Sequence, residues 1–77
     1  MKISWVKYEK DNESFKVPEK LGFDVLKLEN LENTDEKIKE LIDNKYRTII
    51  ITDEVAGFSE DIIKKYQYST NINIIIA

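Results

Sequence analysis

The sequence predicts an α/β domain: a small four-stranded parallel sheet, doubly wound in the Rossmann-like or flavodoxin-like manner and truncated after its last strand. Short β-branched runs alternate with helix-length segments along the whole chain. Strands separated in this way need crossover connections, which give a parallel sheet wound right-handed with helices on both faces. The run Ile49-Ile50-Ile51 is apolar without alternation, as in a strand covered on both faces, so it belongs at the centre of the sheet. Finally, 77 residues, 42% hydrophobic and 35% charged, suffice for one core and a solvated shell, so residues 1–77 are read as a single domain without linker or repeat.

Taken in order, the start of the chain reads directly into a first strand, Lys2 to Tyr8, with Ile3, Trp5 and Val6 apolar, and the polar cluster Glu9-Lys10-Asp11-Asn12-Glu13 forms its exit loop. Ser14 to Gly22 holds a short helix at most. Pro18 suits a first turn, where its missing N–H is no loss, and Gly22 suits the left-handed stop. Phe23 to Leu28 is the second strand. Asn33 then caps a helix, with Glu36 placed to reach back to the cap, and Ile38, Leu41 and Ile42 form its apolar stripe through Asn44. Tyr46 to Thr52 is the third strand; Ser59 caps a helix from Glu60 to about Tyr66 that turns Ile62, Ile63 and Tyr66 to the sheet, and Ile72 to Ala77 is the fourth strand.

Composition removes several kinds of chemistry. The net charge is −3, with 12 basic residues dispersed among 15 acidic ones, which disfavours a nucleic-acid partner. With neither cysteine nor histidine, the chain has no disulfide, thiolate nucleophile, imidazole base or ordinary zinc site. Its start lacks the apolar segment of a signal peptide, and its longest apolar run, Ile72 to Ala77, is too short to span a bilayer. The expectation is a cytoplasmic protein without direct membrane insertion.

In such sheets ligands settle beyond the carboxyl ends of the strands. A nucleotide or flavin needs glycines or small hydroxyl residues in the first loop there, where this chain has Glu9-Lys10-Asp11-Asn12-Glu13, so no cofactor is expected. Asp53, at the end of the central strand, invites comparison with the phospho-acceptor of a receiver domain. The strand end Val6-Lys7-Tyr8 lacks the acidic partners that would hold a divalent ion, and Thr52-Asp53 reads instead as a helix start. The acids Glu29, Glu32, Asp35 and Glu36 match no Ca²⁺ loop, so no metal and no catalytic residue are assigned. Trp5 is placed in the core, and Tyr66 and Tyr68, near a helix end, are the better interface aromatics.

The segments Leu21-Gly22-Phe23-Asp24-Val25, Asp35 to Asp43, Ile49-Ile50-Ile51-Thr52-Asp53-Glu54-Val55-Ala56, and Ile62 to Tyr66 with Ile74-Ile75-Ile76 together resemble the N-terminal domain of the F subunit of the V/A-type ATPases. The most distinctive piece is the Ile-Ile-Ile-Thr-Asp-Glu-Val-Ala turn. The family's glycine-aspartate turn after the first strand and its C-terminal helix have no counterpart here. The resemblance implies a rotor component without catalytic residues, peripheral to a membrane through its complex and bound to a helical, coiled-coil component of the central stalk. On that footing the expected interface is Asp53, Glu54, Val55, Phe58, Tyr66 and Tyr68. The alternatives are a receiver-like or small-ligand domain centred on Asp53, and a self-associating domain that pairs through the strand Ile72 to Ile76.

Overall fold

Strands and helices alternate along the chain as β1 (Lys2–Tyr8), α1 (Lys16–Lys20), β2 (Val25–Leu28), a 3-10 turn (Leu31–Asn33) running into α2 (Thr34–Asp43), β3 (Tyr46–Ile51), α3 (Asp53–Ala56), α4 (Glu60–Tyr66) and β4 (Asn73–Ile76). The structure is a computed structural model and describes residues 2–77, so Met1, which leads into the first strand, lies outside the described residues. All strand pairs are parallel and the order is β2-β1-β3-β4. β3 is therefore internal, as its isoleucines require. The first crossover steps outward from β1 and the second returns past it, so right-handed winding puts α1 on one face and α2 and α4 on the other.

The core lies on the α2 and α4 face. Alternate strand residues point there: Val6 from β1, Leu26 and Leu28 from β2, Ile49 and Ile51 from β3, and Ile74 from β4. They meet Ile38, Leu41 and Ile42 of α2, Val55 of α3, and Ile62, Ile63 and Tyr66 of α4. The helical stripes read from spacing are thus the ones buried. Ser4 shares this face, fully buried, and its hydroxyl finds no hydrogen-bond partner among the described residues.

Local signals hold unevenly. Gly22 takes the left-handed conformation at φ 84°, and Pro18 sits within the first turn of α1. Thr52 is extended and its hydroxyl accepts the Val55 N–H at 3.2 Å, which starts α3. Asn33, by contrast, caps nothing with its side chain. It belongs to the 3-10 turn at φ −92° and ψ 11°, and the cap moves to Asn30, whose Oδ1 accepts the Glu32 N–H at 3.0 Å. Ser59 does not cap α4 either; its hydroxyl donates backward to the carbonyls of Val55 at 3.0 Å and Ala56 at 3.3 Å, closing α3 instead. Phe23 and Asp24 precede β2, although the Asp24 carbonyl accepts the Trp5 N–H at 2.9 Å.

Lys45, just after α2, holds φ 74° while its N–H donates to the Ile42 carbonyl at 3.1 Å. A side chain in that conformation costs about 1 kcal/mol that glycine avoids. Lys45→Gly is expected to raise the melting temperature by a few degrees, as read by circular dichroism; an unchanged or lower value would mean that the flexibility glycine adds to the unfolded chain outweighs the relieved strain.

Candidate interaction surface

The second face of the sheet is covered far less than the triple isoleucine suggests. Register places Val25, Trp5, Ile50 and Ile75 side by side, one from each strand, in an apolar row across the face opposite α2 and α4. With strands about 4.8 Å apart, the row is roughly 14 Å long. Val25, Trp5 and Ile50 are half-buried and Ile75 is exposed. β3 is therefore central but covered fully on one face only, because α1 has just five residues and buries none of them.

What covers the row lies at its β1 and β2 end. Phe15 meets the Trp5 ring edge-on at 5.1 Å between centroids, and Phe23 meets it tilted at 6.3 Å. Trp5 is thus the centre of a half-exposed aromatic cluster on the open face rather than part of the main core, and Phe23 remains 50% exposed. Phe15 holds φ 60° in making this contact, a conformation that disfavours a bulky side chain. Val17 of α1 and Leu21, which follows it, turn outward, while Glu19 faces the sheet.

Glu19 is drawn inward by Lys7, a β1 residue only 4% exposed on the same face as Trp5. The Lys7 ammonium donates to the Ser14 carbonyl at 2.8 Å and stands 3.8 Å from Glu19 Oε2, while Lys27 lies 3.2 Å from Glu19 Oε1. Lys16, Lys20, Glu9 and Asp11 line the rest of a cleft of about 540 Å³. Four lysines and three carboxylates line it, and Glu19 already sits between Lys7 and Lys27, so the cleft fastens α1 to the sheet. Asp11 Oδ1 accepts the N–H groups of Glu13 and Ser14 at 3.0 Å each, closing the loop without glycine. The Ser14 hydroxyl and amide, then the Glu13 amide, hold the Asp11 carboxyl below its ordinary value.

The six residues expected at an interface do not form one patch. Val55 has 0% exposure and lies in the core, so no partner can touch it; the helix start that makes it look available also points it at the sheet. Asp53 and Glu54 are exposed in the first turn of α3. Phe58, 49% exposed, follows α3 beyond the carboxyl ends of the strands, whereas Tyr66 and Tyr68 lie at the far end of α4. A helix of seven residues, about 10 Å long, separates them. Tyr66 packs partly against the core and has the Lys65 ammonium 5.5 Å from its ring centre, and Tyr68 is 88% exposed. Among the described residues no group of three or more acidic side chains converges around Asp53 or elsewhere to hold a metal ion, and no helix is long and apolar enough to cross a membrane.

No family model matches this chain, and neither does a curated protein or a solved structure.

Proposed function

We propose that this chain is a non-catalytic protein-binding module that receives a helix of its partner on the sheet face opposite α2 and α4. The observation that carries the reading is the row Val25, Trp5, Ile50 and Ile75, apolar across the whole sheet and sheltered only near β1 and β2. Parallel sheets normally have both faces covered by helices. The strip over β3 and β4 is two strands, about 10 Å, across, which matches the diameter of one α-helix.

A helical occupant is also what the resemblance to the ATPase F subunit implies. The proposal accordingly includes a stalk component of a V/A-type ATPase, cytoplasmic and peripheral to the membrane, that serves ion transport through its complex and needs no cofactor of its own. The surface in this proposal is the open face and not the turn at Asp53.

Trp5 is the only tryptophan and lies within the surface, so its emission reports occupancy directly. The wild-type chain is expected to retain the coiled-coil protein of the ATPase stalk, and that protein, once purified, should shift Trp5 emission to the blue. Phe23→Asp should lose both effects, while Phe58→Asp combined with Tyr68→Asp should keep them. Binding that survives Phe23→Asp but fails in the Phe58 and Tyr68 double variant would move the surface to the ends of α4 and sink the open-face reading.

A further inference from the structure

The outer edge of the sheet supports a second contact that does not depend on the open face. β4 is an edge strand, and residues 66–77 include no Lys, Arg, Asp or Glu, although 35% of the chain is charged. Sheet edges are usually guarded by charges, proline or bulges. β4 reads Asn-Ile-Ile-Ile and pairs with β3 without a register shift, and Ile75 and Ile76 are 47% and 50% exposed.

The hydrogen-bonding direction of the free edge follows from one bond. The Ala77 N–H donates to the Ile51 carbonyl at 2.9 Å. Backbone groups alternate sides along a strand, so Ile75 also turns its N–H and C=O toward β3, and Ile74 and Ile76 turn theirs outward.

We infer that β4 pairs antiparallel with β4 of a second copy of this chain, joining two sheets into one across a two-fold axis. Setting Ile75 opposite Ile75 of the second copy places Ile74 opposite Ile76. These are the residues whose N–H and C=O groups point outward, so each such pair exchanges both of its hydrogen bonds. The three central pairs in this register are isoleucine on isoleucine, flanked on each side by Asn73 opposite Ala77. A shift by two residues would set Ile74 opposite itself and pair Ile76 with Ile72, which precedes the strand.

Charge permits a second copy as the occupant, and the register above, in which the outward groups of β4 meet those of an identical strand, is what favours it. Each chain carries a net −3, but its charged residues all lie outside residues 66–77, so strand pairing sets no like charges opposite one another. The extent of the contact sets its strength. A four-residue strand is about 13 Å long, and such a pair falls short of the roughly 1,000 Å² of a durable interface, so the dimer forms by mass action at high concentration.

Sedimentation of the full chain between about 10 µM and about 1 mM tests this, a range that spans weak association. The average mass is expected to rise from 9.1 kDa toward twice that value, and the Ile74 and Ile76 amides should exchange with solvent more slowly at the upper concentration. Ile76→Pro removes an outward N–H that β3 does not use, and Ile75→Lys sets two ammonium groups opposite each other. Both should remain at 9.1 kDa throughout, with circular dichroism confirming the fold, while Phe23→Asp should associate like the wild type. A wild-type mass fixed at 9.1 kDa, growth without a plateau at the dimer, or a dimer that persists in a folded Ile76→Pro or Ile75→Lys chain would overturn the inference.

Discussion

Val55→Asp is expected to leave the chain largely unfolded at 25 °C, without a cooperative thermal transition by circular dichroism. Val55 has 0% exposure and packs in one cluster with Val6, Ile38, Ile49 and Ile51. Its backbone is held at both ends: the N–H donates to the Thr52 hydroxyl at 3.2 Å, and the carbonyl accepts the Ser59 hydroxyl at 3.0 Å. The side chain therefore cannot swing to the surface without dismantling the turn that starts α3. An unpaired carboxylate in that position costs several kcal/mol, by staying ionised in apolar surroundings or by taking up a proton. A domain this small has only about 4 to 12 kcal/mol of total stability. Val55→Ala, which deletes methyl groups alone, should cost about 2 kcal/mol and keep the fold. A Val55→Asp chain that melted at the wild-type temperature would return this residue to the surface and restore it as an interface candidate.

Val55 and its neighbours show where local sequence signals stop. The extended Thr52 and the acidic residues behind it mark a helix start, and α3 begins there. Such a signal says where a helix begins but not how it is rotated, and the four-residue α3 is too short to display a stripe that would fix its rotation. α2 is long enough: Ile38, Leu41 and Ile42 announce the buried face, and they occupy it. The cap of α2 is beyond the reach of spacing because Asn30 and Asn33 are equally good capping residues. Leu31, packing against the core, draws the intervening residues into a turn that makes Asn30 the cap.

The same limit governs the candidate surface. Ile49, Ile50 and Ile51 satisfy a two-sided burial pattern whether or not the second side is finished, so the run places β3 internally but does not measure the cover over Ile50. That cover depends on α1, whose inward side is Glu19 rather than Val17 or Leu21. A lysine between Val6 and Tyr8 reads locally as a solvated strand position. Its partners, the Ser14 carbonyl and Glu19, are brought to it by the Asp11 turn and the crossover.

Glu19→Ala is expected to destabilise the domain by about 1 to 2 kcal/mol, whereas Lys7→Met should be close to neutral. The Lys7 side chain is 5% exposed, and in Glu19→Ala its ammonium would keep the Ser14 carbonyl but lose the one carboxylate that lies within 4 Å among the described residues. Breaking a fully buried pair costs about 3 to 5 kcal/mol. Glu19 is 45% exposed, so water partly replaces it and the lower figure applies. Lys7→Met keeps the apolar stem while removing both the buried charge and its need for a partner. In the Lys7→Met chain, Glu19→Ala should then cost little, since what remains is the half-exposed pair with Lys27. Urea unfolding of the four chains measures this coupling; equal losses from the two single substitutions would mean that the ion pair adds net stability. The pair also bears on the proposed surface. α1 buries no residue, so Glu19 between Lys7 and Lys27, the Lys7 bond to the Ser14 carbonyl and Phe15 on Trp5 hold this segment to the sheet. Loosening the first contact should expose more of the aromatic cluster, shifting Trp5 emission to the red in Glu19→Ala but not in Lys7→Met, where the substituted thioether side chain would preserve apolar contact beneath α1.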